Sequence, residues 1–179
     1  MNLPNKITLF RVVMIPVFLV LLLVPGISYG NYFAAAVFII ACLSDALDGY
    51  LARKNNLVTN FGKFMDPLAD KLLVCSALIC FVELSYMPAW VVVVIIAREF
   101  IISGFRLIAS DNGVVIAASY WGKFKTVSQM IACILLIVQL PFDWADILEQ
   151  VFIYLALALT VISLCEYIWK NRNVIAEKK

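Results

Sequence analysis

Four aspartates, Asp45, Asp48, Asp66 and Asp70, fall within a 26-residue window of a chain that is 64% apolar. On a helix, residues three apart point about 60° from one another and residues four apart about 40°. Asp45 and Asp48 therefore share one face at the end of a second helical segment, and Asp66 and Asp70 share one at the start of a third. Four carboxylates gathered beside hydrocarbon repel one another, and each costs about 2.5–3.5 kcal/mol near the centre of a bilayer. Divalent cations relieve both penalties. An all-oxygen donor set, in a chain without histidine or a thiolate cluster, selects a hard ion, Mg2+ first and Mn2+ second. Four carboxylates suffice for two ions, an arrangement that stabilises the attacking and leaving oxygens of a phosphoryl displacement.

The neighbouring residues fit phosphate chemistry. Gly49 and Gly62 allow a ligand close to the backbone, Arg53 offers a planar fork to phosphate, and Ala52 keeps its helix face shallow. A purely structural account makes these residues helix caps, with Asp66-Pro67 opening a helix and Arg53 balancing the acids. That account serves any one of them, but caps do not require carboxylates a helical turn inside an apolar segment.

The elements that must position these groups are membrane spans. The 179 residues have a mean hydropathy of +0.99 and only 15% charged residues, far from the roughly 25% charged of soluble domains. Six segments approach the ~20 residues that a bilayer requires: 7–26, 32–53, 67–84, 87–109, 121–140 and 147–169. Between them lie "PGISYGN", "KNNLVTNFGK", "SYMP", "SDNG" and "LPFDWAD", each with turn chemistry. The N-terminal run is too long for a signal-peptide core, and no small-x-small cleavage site follows it, so it is expected to be retained as the first span. Lys and Arg mark alternate ends: Lys6 and Arg11; Arg53, Lys54 and Lys63; Lys123 and Lys125; and the C-terminal Lys170 to Lys179. The three intervening connections carry no basic residue, and the second and third carry acids. The positive-inside rule then predicts six spans with both termini, and the aspartates, on the cytoplasmic side. No repeat or linker divides the chain, which is expected to be one all-α, polytopic membrane domain over residues 1–179. The five cysteines lack paired spacing and read as small apolar residues. A net charge of +2 gives no basis for nucleic-acid binding.

The pattern Asp45-x2-Asp48-Gly49-x2-Ala52-Arg53-x8-Gly62-x3-Asp66-x3-Asp70 resembles the complete signature of the CDP-alcohol phosphotransferase family, with all eight positions at the family spacing. The resemblance implies a six-span enzyme in which Asp45, Asp48, Asp66 and Asp70 hold two metal ions. Asp70 is also implied as the general base for the acceptor hydroxyl. Asp48, Gly49, Ala52, Arg53 and Gly62 would shape the cytidine-diphosphate site. A hydroxyl would attack the lipid-bearing phosphate of a CDP-linked lipid and release CMP. The family also implies a homodimer.

Three further stretches bear on the acceptor: Asn2–Arg11, Arg98–Ser110 and Val114–Met130. They resemble the branch of that family found in bacterial cytoplasmic membranes that acts on CDP-diacylglycerol and glycerol 3-phosphate, the phosphatidylglycerophosphate synthases. Inositol phosphate, serine or phosphatidylglycerol are the alternative acceptors. A small dianion needs cations, and Arg106, Lys123 and Lys125 are the candidates for its phosphate, with Arg98 in support. Arg98 lies near mid-span, where pairing with Glu99 is the competing explanation. Snorkelling to the cytoplasmic face competes for the other three. Asn5, Thr8 and Arg11 recur on one helical face, where Asn5 and Thr8 are candidates for a nucleotide-binding edge. An ion transporter is the rival class, but transport predicts acids at mid-bilayer and repeat symmetry, and neither is seen in this sequence.

Overall fold

Long apolar runs leave the backbone no partners but its own, and helix is the form that satisfies every N–H and C=O within one segment. The computed structural model describes residues 3–54, 60–111 and 119–172, with side chains over 6–44, 65, 68–109 and 119–172. These residues form α1 (Leu3–Leu23), α2 (Gly30–Lys54), α3 (Asn60–Glu83), α4 (Ala89–Asp111), α5 (Tyr120–Val138) and α6 (Asp143–Lys170). The all-helical expectation holds, as do the turns after α1, α3 and α5, where Gly26, Tyr29, Ser85 and Gln139 adopt positive φ.

Three helix starts differ most from the sequence reading, the sixth helix beginning at Asp143, within the expected connection, rather than at 147. The first helix starts at Leu3 and continues through Pro16. The third starts at Asn60, so Gly62, Asp66 and Pro67 lie inside α3 rather than before it or in its first turn. Asn, Gly and Pro carry unfavourable local propensities, which tertiary packing overrides. In α3 the packing stripe is Ala69, Leu73, Ala77 and Phe81, all buried.

The chain forms two compact units, Met1–Tyr86 with Ile134–Leu140, and Met87–Cys133 with Pro141–Lys179. In the first, α1 packs along both α2 and α3, which among the described residues touch each other less. The buried face of α1 reads Thr8, Arg11, Ile15, Phe18 and Leu22, a three-four spacing that keeps one stripe inward. It meets Ala34, Phe38 and Ala41 of α2, and the Phe18 and Phe38 rings lie 5.8 Å apart. Small residues let backbones approach closely, so that van der Waals contact can hold helices that lipid would solvate equally well. In the second unit α6 packs on α4, and its buried stripe, Ala145, Glu149, Ile153, Ala156, Thr160, Ser163 and Tyr167, is small or polar except at Ile153.

The outer faces are apolar. Leu9, Val13, Val17 and Val20 of α1 are exposed, as are Ile147, Val151, Leu155 and Ile162 of α6. Exposed aromatics gather at helix ends: Tyr29 and Tyr32 before and in the first turn of α2, Trp90 at the start of α4, Phe142 stacked on Trp144 at the start of α6, and Trp169 at its end. Inward polar stripes, outward apolar faces and terminal aromatics are the pattern of a membrane protein. Lys6–Leu23, Tyr120–Val138 and Asp143–Lys170 are long and apolar enough to cross a bilayer, and Gly30–Ser44 is a shorter apolar helix. The helices outside that set of three, α2, α3 and α4, carry the four aspartates, Arg53, Arg98 and Arg106, whereas Lys123 and Lys125 lie on α5.

Candidate active site

The aspartates are delivered by two helices. Asp45 and Asp48 lie in the last turns of α2, followed on the same helix by Gly49, Ala52 and Arg53, while Gly62, Asp66 and Asp70 lie on α3. Asp70 is half-buried and follows the fully buried Ala69, whose small side chain sits in the α3 packing stripe. The side chains of Asp45, Asp48, Gly49, Ala52, Arg53, Gly62, Asp66 and Asn5 are outside the described residues, so the ligand geometry is not on view. Among the described residues no three acids, cysteines or histidines converge on a metal position. The chemistry of the donor set, oxygen only, fits hard divalent ions.

Beside this motif the structure places a cation that sequence reading counted as a loop charge. Arg11 is 0% exposed, in the middle of the α1 packing stripe. Its Nε donates to Ser44 Oγ at 3.4 Å, and the Ser44 hydroxyl donates to the Ala41 carbonyl at 2.7 Å. A fully buried guanidinium is tolerated only where partners replace its water. Ser44 is one such partner, and the next residue in the chain is Asp45. Thr8, one turn earlier on the same face, is also buried. The three-four spacing from Thr8 to Leu22 was the signal that Arg11 turns inward.

The second unit gathers a separate polar cluster. Arg98 of α4 donates from Nη1 to Glu99 Oε1 at 3.0 Å and from Nη2 to Ser163 Oγ of α6 at 3.1 Å. Lys125 of α5 donates through Nζ to the same Glu99 oxygen. Lys125 is only 3% exposed, an arrangement opposite to snorkelling. Three helices thus meet at Arg98, and two cations share one carboxylate oxygen. The Ser163 hydroxyl is held in turn by the Thr160 carbonyl, 3.0 Å away. Gly122 faces the cluster from α5, where an added Cβ would lie 3.6 Å from Arg98 Nη2. The start of α5 is fixed by Ser119, whose hydroxyl accepts from the Gly122 amide at 3.1 Å, the N-cap geometry.

The other two candidate cations are elsewhere. Arg106 is exposed on α4. Lys123 is exposed on α5, its Nζ 5.4 Å from the centroid of the Tyr120 ring. Sequence reasoning anticipated the Arg98–Glu99 pair but not the capture of Lys125 by Glu99, nor the Ser163 contact. Those join residues 26 and 65 positions apart, beyond the reach of local spacing.

Comparison with known proteins identifies the family. The family model described as CDP-alcohol phosphatidyltransferase matches residues 1–162. A protein of Bacillus subtilis (strain 168) named CDP-diacylglycerol–glycerol-3-phosphate 3-phosphatidyltransferase is 47% identical, the match covering 95% of each chain. Proteins of the same name from Haemophilus influenzae and Escherichia coli K12 are 38% and 37% identical, over 93% of this chain and 91% and 93% of theirs. With eight motif positions at fixed spacing on α2 and α3, and a family match over nearly its whole length, the chain belongs to the CDP-alcohol phosphatidyltransferase family.

Proposed function

We propose that the protein transfers a phosphatidyl group from CDP-diacylglycerol to sn-glycerol 3-phosphate, giving phosphatidylglycerophosphate and CMP for anionic phospholipid synthesis. The observation that carries this reading is the match to the Bacillus subtilis protein of that printed activity across 95% of both chains. The acceptor's primary hydroxyl oxygen forms a bond to the phosphorus that bears diacylglycerol. The bond from that phosphorus to the CMP oxygen breaks, and the hydroxyl proton passes to Asp70. Without histidine in the chain, a carboxylate is the natural base.

Asp45, Asp48, Asp66 and Asp70 would hold two Mg2+ ions, with Mn2+ as substitute. When bound, these ions neutralise charge developing on the phosphates. Arg53 is assigned to the nucleotide's phosphates, Gly49, Ala52 and Gly62 to room for the cytidine, and Asn5 and Thr8 to its edge. Lys125 is assigned to the acceptor phosphate and Arg98 to its support. A buried lysine and a part-buried arginine sharing one carboxylate oxygen suit a dianion. Arg106 and Lys123, at exposed positions, are assigned to drawing it in. The whole chain acts as one catalytic domain of six spans in a bacterial cytoplasmic membrane. Both termini and the aspartates face the cytoplasm, and the assembly is a homodimer as the family implies.

The test is a mass-spectrometric assay of purified protein with CDP-diacylglycerol and glycerol 3-phosphate, inositol phosphate, serine or phosphatidylglycerol in turn. Phosphatidylglycerophosphate and CMP should form in equal amounts, only with glycerol 3-phosphate, and cease when EDTA removes divalent ions. Product with another acceptor alone would overturn the assignment.

A further inference from the structure

Gln129 lies one helical turn beyond Lys125 on the same face of α5 and is only 4% exposed. Neither its amide nitrogen nor its amide oxygen has a hydrogen-bond partner among the described residues. Arg98 Nε is likewise buried without a partner among them. A primary amide has two N–H donors and an acceptor oxygen, and leaving such a group dry is costly, which is why nearly all buried amides are paired. A packing role is better served by Leu or Met, which carry no such penalty. Two of these side chains flank Lys125: Arg98 is bonded to the carboxylate that holds it, and Gln129 follows it at i+4; the other buried unpaired atoms among the described residues, Glu166 Oε2 and Tyr167 Oη, belong to the last turns of α6. Residues four apart on a helix are about 40° apart and about 6 Å along the axis. A molecule whose anionic end lies at Lys125 and that runs along α5 toward Gln129 would bring its next one or two carbons within reach of the amide.

We infer that Gln129 is a specificity-determining residue that hydrogen-bonds the secondary hydroxyl of a phosphorylated polyol whose phosphate is held at Lys125 and Arg98. The inference rests on the acceptor assignment proposed above. A secondary hydroxyl donates one hydrogen bond and accepts others, so it satisfies both ends of the amide. An acceptor without that hydroxyl leaves the amide dry in the complex, and sites built to bond a hydroxyl discriminate strongly against analogues that lack it.

The experiment compares kcat/KM for sn-glycerol 3-phosphate with that for 3-hydroxypropyl phosphate, which keeps the attacking primary hydroxyl and the phosphate but lacks the 2-hydroxyl. The wild-type protein should prefer glycerol 3-phosphate by about 10–100-fold, the range for leaving one buried polar group unpaired. Gln129→Met and Gln129→Leu should abolish that preference by lowering the rate with glycerol 3-phosphate while leaving the analogue's rate unchanged. A preference that survives both substitutions, including a parallel loss with both acceptors, overturns the inference; a trapped water satisfying the amide would give that result. Variants that no longer accumulate in the membrane also overturn it, since the amide would then be holding the fold. If the wild-type protein makes no product from glycerol 3-phosphate but does from another acceptor, the acceptor assignment fails, and the inference with it. If it makes product and the preference does not respond to Gln129, only the inference fails.

Discussion

Asp70 is the half-buried member of the aspartate motif whose environment is on view, flanked by the α3 residues that pack the helix. Asp70→Asn keeps the shape and removes the base. Turnover should fall by about 10²–10⁴-fold, the usual worth of a general base, while CDP-diacylglycerol binding, measured by equilibrium dialysis in detergent, stays near the wild-type value. Normal turnover would exclude the role. Glu99 poses a different question, because its single oxygen accepts from both Arg98 and Lys125. Breaking a buried pair leaves uncompensated charge, so Glu99→Gln should cost about 3 kcal/mol of stability, read as a lowered thermal midpoint in detergent. Glycerol 3-phosphate should then raise the midpoint of the variant more than that of the wild type, since its dianion replaces the lost counter-charge. A midpoint unchanged by the substitution would show that the two cations are balanced elsewhere. These residues also mark how far sequence reading goes. The family was legible in Asp45 to Asp70 because that spacing is local and its residue types admit few chemistries. The Lys125 contact was not, because a pairing between α4 and α5 depends on how the helices pack, and a lysine near a helix start reads equally well as an exposed anchor. Arg11 was read in part: its shared face with Thr8 was visible in the spacing, but that this face packs inward shows only once the whole stripe from Thr8 to Leu22 is traced.

At the scale of elements, two glycines separate close packing from open space. Gly30 opens α2, and a Cβ there would lie 2.7 Å from the Leu21 carbonyl oxygen of α1, a backbone atom that cannot swing aside. Gly30→Ala should therefore destabilise the protein by about 1–3 kcal/mol through forced separation of α1 and α2. Gly104, inside α4, meets nothing within 4 Å, so Gly104→Ala should stabilise by about 0.5–1 kcal/mol through helix propensity alone. Opposite shifts in thermal midpoint are expected, and shifts of equal sign would contradict the packing of α1 on α2. Ser119→Ala removes the side-chain acceptor for the Gly122 amide and should cost about 1 kcal/mol, measured in the same melt. The helices themselves were legible because hydrophobic runs of span length have few other forms. Their ends were less so: the Asn, Gly and Pro that mark a turn by local propensity lie within α3, held there by Ala69, Leu73 and Phe81 packing inward.

At the scale of the whole molecule, charge at the helix ends is the basis of the proposed orientation, and with it of the compartment expected to supply substrate. Lys and Arg crowd alternate connections and the C-terminal end of α6, where Arg172 lies over the Trp169 ring at 5.2 Å. The connections after α1, α3 and α5 carry none, and exposed Tyr29, Trp90 and Trp144 lie at or just beyond those connections. Aromatics favour both interfaces, but basic residues favour only the cytoplasmic one, so the basic ends should face the pool of water-soluble acceptor. In a background where the five cysteines are replaced by serine or alanine, Ser28→Cys places a thiol in the first non-basic connection and Lys170→Cys places one at a basic end. A membrane-impermeant maleimide added to intact spheroplasts should label the former and spare the latter, and inverted vesicles should reverse the result. Labelling of both from one side would break the alternation and with it the six-span topology. Labelling with the sides exchanged would keep the spans but put the aspartates across the membrane from the cytoplasm. The parent protein serves as control: Cys165 is exposed on α6 but lies among apolar neighbours, so lipid should shield it from the reagent. The same vesicles carry the functional consequence, because glycerol 3-phosphate added outside should be consumed by inverted vesicles and left untouched by sealed, right-side-out ones.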